Sequence, residues 1–421
     1  MNIEGWNTRY FGEVAQIVMG QSPDSKYYSE EEVGLPFLQG CAEFTERFPT
    51  PNIYCSQFKK IAISGAILFS VRAPVGKTNL ADRDYIIGRG LAALSAYAIS
   101  QNYLHYYLIY SENDFRNASQ GSTFEAINSK ELTNWVIKFP ELPEEQKQIA
   151  EVLSTIDRAI AQTEAIIAKQ QRIKTGLMQD LLTKGIDENG NIRSEATHEF
   201  KDSAIGRIPV EWEVRKIPEA GDLKLGRQTA PKYQVGINPC LYLRVVNIYN
   251  GQLDLRDIKT MDFTVNEFNT YCLKYGDVLL TEGDLVSAMN VGRSAIFRGE
   301  IERCCFQNSL IRFRPFTQAS SEFFHFLFCY LRSVGYFANA TMATTVFHLS
   351  VGRLQELCMS LPPKLEQIRI AKILSQQDKN INIESKKHEK LILLKTGLMQ
   401  DLLTGKVRVT NLLKEKEPTS P

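Results

Sequence analysis

The chain has no run of about 18 apolar residues, the minimum for a membrane-spanning helix, so no span is expected. Its N-terminus, Met1 to Gly20, contains Glu4, Arg9 and Glu13 and lacks the basic start and apolar stretch of a signal peptide. A cytoplasmic protein is the resulting expectation. Histidine is scarce. The five, at 105, 198, 325, 348 and 388, show no metal-binding spacing. The eight cysteines include no CxxC pair, although Cys304 and Cys305 are adjacent. Neither a zinc site nor a disulfide framework is suggested, and the thiols are expected to be reduced and mostly buried.

Signatures of catalysis are also missing. Gly76-Lys77-Thr78 resembles the end of a phosphate loop, but the leading glycine would stand at Val71, so the motif fails. Glu145-Gln146-Lys147 resembles part of a nuclease motif without its upstream metal-binding aspartate. No nucleophile elbow is present. A one-sided charge is absent as well, the net charge being +1. Residues 1–142 carry 12 basic and 15 acidic side chains, residues 200–363 carry 18 and 16, and the stretch from 364 onward carries 12 and 7. Binding to a phosphate backbone needs a local positive face, which the total does not show. The fold must sort the charges, or partners must share the grip.

What the chain does have is a repeat, and it decides the architecture. The decapeptide Lys-Thr-Gly-Leu-Met-Gln-Asp-Leu-Leu-Thr occurs at Lys174–Thr183 and again at Lys395–Thr404, 221 residues on. At that offset, 19 of the 39 positions from 145 to 183 are identical without a gap. A weaker repeat has a different offset: Trp6, Arg9, Glu13 and Gly20 match Trp212, Arg215, Glu219 and Gly226, each 206 residues apart. The chain therefore alternates variable, constant, variable, constant, with the second variable region longer by 15 residues (221 − 206).

The constant segments read as long helices. Ile149, Leu153, Ile156, Ile160, Ile167, Leu177 and Leu181 follow a three–four spacing, and Ile370, Leu374, Ile381, Leu391, Leu394, Leu398 and Leu402 do the same. Pro143 and Pro363 sit where such helices could begin. A single stripe on a helix of about 58 Å must be covered by another helix, and the natural cover is the other copy, antiparallel. Gly176 and Gly397 lie inside these helices. They imply a close approach of the two helices there, or a local kink.

The variable regions read as mixed structure. Gly65–Arg72 and Gly276–Thr281 are turn-then-strand patterns, Leu241–Ile248 and Asn308–Phe313 are β-rich, and Gln101–Glu112 and Ser321–Phe337 suit short helices. The expected fold is α+β: two α+β target-recognition domains joined by two long antiparallel coiled-coil helices, a pseudo-two-fold tandem repeat. The expected segments are a first domain at 1–142, a helix at 143–184, a linker at 185–208, a second domain at 209–363, a helix at 364–405 and a tail at 406–421. A tandem duplication in one chain imitates a dimer. Two different heads on a fixed spacer suit a split, asymmetric DNA site.

At this point the residues resemble a known family. The segments 142–150 and 363–371, the two decapeptides, and Lys-Asp-Ser-Ala-Ile-Gly-Arg-Ile-Pro-Val-Glu-Trp at 201–212 resemble regions of the specificity subunits of type I restriction–modification enzymes. Thr-Phe-Glu-Ala-Ile at 123–127 and Thr-Val-Phe-His-Leu at 345–349 stand where that family's domains end. The resemblance implies a non-catalytic subunit that binds double-stranded DNA. It implies pairing with two copies of a DNA adenine methyltransferase subunit, and then with restriction/translocase subunits. S-adenosylmethionine would bind the partner, leaving no cofactor in this chain. A methyltransferase of this kind would need an Asn- or Asp-Pro-Pro-aromatic motif, and Leu361-Pro362-Pro363-Lys364 has neither the amide nor the aromatic ring.

Arginine reads guanine, and asparagine or glutamine reads adenine, in the common base contacts. Candidate DNA contacts in the first domain are Lys26 and Tyr27, after Gly20-Gln21, and Arg72, Lys77, Arg89, Gln120 and Thr123 in or beside glycine-rich turns. In the second they are Arg227, Lys232 and Tyr233 in the matching stretch, with Asn290, Arg293, Asn308 and Thr345. Each is equally readable as a solvated surface group or a turn residue. Two other readings of the whole chain stand beside the DNA-reading one: a coiled-coil scaffold, and an enzyme with an unrecognised site. A scaffold gains nothing from two different heads, and an enzyme would show one site.

Overall fold

The computed structural model describes residues 3–119, 125–230, 236–249, 251–284, 287–317, 320–343 and 347–414. The chain forms two compact units, residues 1–165 with 386–421, and residues 166–385. No helix among the described residues is long and apolar enough to cross a membrane.

Two helices dominate, Pro143–Thr183 of 41 residues and Lys364–Leu403 of 40. The first opens on Pro143, whose missing N–H would have had no intrahelical partner, and the second begins directly after Pro363. Each helix contributes one part to each unit. In the first unit Asp157 pairs with Lys395 at 2.6 Å and Glu164 with His388 at 2.7 Å. There Ile149, Ala150 and Leu153 share a core with Met399, Leu402 and Leu403. In the second unit Lys174 pairs with Asp378 at 2.5 Å, and Gln377 Nε2 donates to the carbonyl of Gln170 at 2.9 Å. Leu181 and Leu182 pack there with Ile370, Ala371 and Leu374. Contacts that run up one helix and down the other are antiparallel, as the matching stripes predict. Asp157–Lys395 and Lys174–Asp378 are one ion pair seen in both copies of the repeat.

The glycines inside the helices behave differently from expectation. A Cβ at Gly176 or Gly397 would meet nothing within 4 Å, so no close helix approach occurs at either, and both helices run through without a break. Nothing within the chain asks for glycine there. Gly176→Ala and Gly397→Ala are each expected to stabilise the isolated chain by about 0.5–1 kcal/mol. A fall in urea midpoint for either would contradict this.

The two recognition domains share one plan. The first has an antiparallel sheet ordered Ala15–Met19, Leu91–Ala96, Ile67–Ser70, Thr78–Leu80. The second repeats it as Gly221–Leu225, Leu310–Pro315, Asp277–Thr281, Ser294–Phe297. Each domain has a further sheet containing one parallel pair. In the first, Leu38 stands opposite Ile87; in the second, Leu243 stands opposite Phe306. The strands expected from Gly65–Arg72 and Gly276–Thr281 form at Ile67–Ser70 and Asp277–Thr281. The helix expected over Ser321–Phe337 is two, Ser321–Ser333 and Tyr336–Asn339, separated at Gly335, whose φ is +76°.

The segment 185–208, expected to be a linker, is folded into the second unit. Ile186 and Ile208 are buried in its core, and Phe200–Ser203 pairs with Gly206–Pro209 as a hairpin. Arg193 from the same segment lies buried against Glu366.

Candidate DNA-reading interface

The four pairs of the weaker repeat have physical reasons. Trp212 is fully buried in the second unit's core. Glu13 accepts the N–H of Tyr10 at 2.8 Å and Glu219 that of Lys216 at 3.1 Å, so both cap the same short turn. A Cβ at Gly20 would come within 2.1 Å of the Gly88 carbonyl oxygen, and one at Gly226 within 2.2 Å of that of Gln307. Only glycine allows these backbone approaches.

Those approaches define a turn that joins the two sheets in each domain. It runs Gly88-Arg89-Gly90 between strands Tyr85–Ile87 and Leu91–Ala96, and Gln307-Asn308-Ser309 between Cys304–Phe306 and Leu310–Pro315. Four backbone hydrogen bonds match pairwise. Gly20 donates to Leu91 and Gly226 to Leu310; Gln21 donates to Ile87 and Arg227 to Phe306. Gly88 donates to Leu38 and Gln307 to Leu243; Leu91 donates to Gly88 and Leu310 to Gln307. Arg89 and Asn308 are thus equivalent residues, although the sequence offers no alignment that pairs them.

The neighbouring segments match too. Val71 donates to Gly90 and Ile127 to Val71, as Glu282 donates to Ser309 and Leu349 to Glu282. Arg72 bridges Ala126 and Gly283 pairs with His348 in the same places. The ends of the segments 123–127 and 345–349 are therefore equivalent beside this turn.

The candidates separate by environment. Arg89 is exposed, and among the described residues no hydrogen bond or ion pair engages its guanidinium; Arg72 is exposed beside it. Lys26 is exposed, 3.3 Å from Asp24, with its ammonium over the Tyr27 ring. Tyr27 packs on the small core of Phe37, Cys55 and Ile86. Lys77 is half-exposed and pairs with Glu112 at 3.0 Å. Arg227 is a correction. It is buried, its Nε donates to Glu267 at 2.8 Å, and its guanidinium lies over Phe263. A group so enclosed holds the fold and cannot reach a base edge. Asn290 sits in the turn Ala288–Asn290, and the Arg293 N–H donates to Thr281 Oγ1 at 3.0 Å. Gln120, Thr123, Lys232, Tyr233 and Thr345 lie outside the described residues.

Sequence reasoning missed the buried ion pairs at the helix starts. Glu145 is fully buried and takes both Arg408 Nε and Nη2 at 2.7 Å. Glu366, its repeat twin, takes Arg193 in the second unit. Gln146 and Gln367, the next residues, each donate back to a proline carbonyl, Pro140 at 2.8 Å and Pro362 at 2.9 Å. The identity of Glu145-Gln146 with Glu366-Gln367 was the available signal.

Among known proteins, the family model described as the type I restriction modification DNA specificity domain matches residues 3–171 and 209–392. The type I restriction enzyme MjaVIII specificity subunit of Methanocaldococcus jannaschii is 30% identical over 321 residues, 74% of this chain and 71% of that one. The MjaX specificity subunit of the same organism is 39% identical over 183 residues, 43% of this chain, and the match spans only 42% of that relative's length. The crystal structure of a type I restriction–modification S subunit from M. genitalium aligns over 94% of this chain and 96% of its own, at 16% identity and a TM-score of 0.57. At that identity it shows the fold alone. The two matched segments coincide with the tandem repeat and cover most of the sequence, and the chain belongs to the family of type I restriction–modification DNA-specificity subunits.

Proposed function

We propose that this chain reads a split DNA sequence, one half-site per recognition domain, and brings catalytic partners to it while catalysing nothing itself. The carrying observation is the tandem: two domains with one strand order and one turn geometry but different exposed residues, beside helices with 19 of 39 positions identical. Holding the frame while the surface varies is what reading two different half-sites requires.

The partners are DNA adenine methyltransferase subunits that carry S-adenosylmethionine, joined by restriction/translocase subunits. Two copies of the methyltransferase are favoured by a patch that occurs twice. Ile173 and Leu394 are repeat twins and both are exposed, as are Thr175, Gly176, Thr396 and Gly397. An exposed apolar residue beside a glycine that the chain itself does not need fits a surface that another protein covers. The partners' basic groups then share the phosphate contacts that a net charge of +1 leaves short.

Co-expression with the partner methyltransferase in a methylation-free host, followed by genome-wide mapping of methylated adenine, tests the reading. A two-part motif with a fixed gap is expected. Methyl transfer by the purified chain alone, or methylation without a motif, would overturn it. Ile173→Arg should lower the partner count from two to one in native mass spectrometry, and adding Leu394→Arg should abolish binding. Two copies retained on the double variant would remove these patches from the interface.

A further inference from the structure

Resting on that DNA-reading function, we propose that the sheet-joining turn is the base-reading position of both domains, Arg89 selecting a guanine in one half-site and Asn308 an adenine in the other. Three observations carry the assignment. The two residues are equivalent by four matched backbone hydrogen bonds in domains whose surfaces otherwise diverge. Their types are those that bind two atoms of one base edge in the major groove: arginine the O6 and N7 of guanine, asparagine the N6 and N7 of adenine. And each is a free side chain on a pinned backbone.

The pinning is specific. In the first domain the Arg89 N–H donates to Ser22 Oγ at 3.2 Å, and that hydroxyl donates to Gln39 Oε1 at 2.9 Å. Gly90 donates to the Gln39 carbonyl at 3.1 Å. In the second domain the Asn308 N–H donates to the Arg227 carbonyl at 3.0 Å. Gln307 Nε2 donates to Thr229 Oγ1 at 3.1 Å, and Ser309 Oγ accepts the N–H of Val245 at 3.2 Å. The flanking residues are thus held, while among the described residues no bond engages the Arg89 guanidinium or the Asn308 amide. A rigid base with a free tip loses little order on binding, which is what specific readout demands. Arg227 gains a role here: buried against Glu267, it presents its carbonyl to Asn308 and positions that turn without touching DNA. Arg72, exposed and one residue beyond Val71, which bonds Gly90, is placed to meet a phosphate beside the base that Arg89 reads.

The test uses the complex with its methyltransferase and reads the methylation motif of wild type, Arg89→Ala, Arg89→Lys and Asn308→Ala. Lysine keeps the charge and stem but loses the two-donor fork. Both Arg89 variants should relax one G·C position in one half-site, with discrimination there falling about 5- to 150-fold, and leave the other half-site intact. Asn308→Ala should relax one A·T position in the other half-site. A wild-type complex without a split motif overturns the DNA-reading function itself. A wild-type motif that survives all three substitutions unchanged overturns only this assignment. Methylation lost equally at every site, in Arg89→Lys as in Arg89→Ala, makes Arg89 a structural or phosphate-binding residue and overturns it as well.

Discussion

An Arg193→Ala chain is expected to lose about 3–5 kcal/mol of stability in its second unit, out of the roughly 5–15 kcal/mol that a domain possesses. Glu366, in the first turn of the second long helix, is 7% exposed and carries the charge at issue. Its carboxylate accepts Arg193 Nη2 at 3.2 Å, Trp212 Nε1 at 3.3 Å and the Ile186 N–H at 2.9 Å, and Arg193 Nη1 closes the fork. Water is excluded from this site. Removing the guanidinium leaves two neutral donors facing an unbalanced buried charge, and that desolvated charge dominates the loss. Arg193→Met with Glu366→Leu removes both charges and should recover most of the stability. In the first unit Glu145 is fully buried but Arg408 is 30% exposed, so water partly replaces the lost cation and Arg408→Ala should cost less. Urea unfolding followed by Trp212, the second unit's only tryptophan, measures the first case. A loss under about 1 kcal/mol would place the pair among the weak, solvent-screened kind.

This ion pair shows what the sequence could and could not disclose. Glu145 and Glu366 stand out as identical residues in a gapless repeat, yet their partners come from segments that do not match: Arg193 lies 10 residues past Thr183, and Arg408 lies 4 past Thr404. The helices were legible because one apolar stripe at helical spacing admits few arrangements. Gly176 was misread because a buried contact and an uncovered surface both preserve glycine, and only space around the Cβ separates them. Arg227 passed as a surface candidate because its counter-ion, Glu267, is 40 residues away. The equivalence of Arg89 and Asn308 was hidden for a related reason. They stand 219 residues apart, an offset that neither repeat shows, because the strands between them differ in length. Hydrogen bonds restore an alignment that side chains had lost.

His325 should make the second unit weaken in mild acid. It lies in the helix Ser321–Ser333, buried, with Nδ1 3.0 Å from Ser294 Oγ. Burial pushes its pKa down to about 3, and the positive charges of Lys174 and Arg298 act in the same direction. In the unfolded chain the imidazole titrates near 6.5. Above that pH neither state binds the proton and the residue contributes no pH dependence. Between about 6.5 and 3 the unfolded state takes the proton and the folded state does not, so stability falls as pH falls. At pH 5 the deficit is about 2 kcal/mol. Carboxylates also titrate in this range, so the informative quantity is a difference between two chains. His325→Gln keeps a hydrogen-bonding partner for Ser294 and cannot take up the proton. Whatever that substitution costs at pH 7.5, the cost should shrink by about 2 kcal/mol at pH 5, since only the wild-type chain pays the proton penalty. Urea midpoints of both chains at the two pH values give the comparison directly. Curves that stay parallel from pH 7.5 to 5 would mean that His325 is charged in the folded state as readily as in the unfolded one.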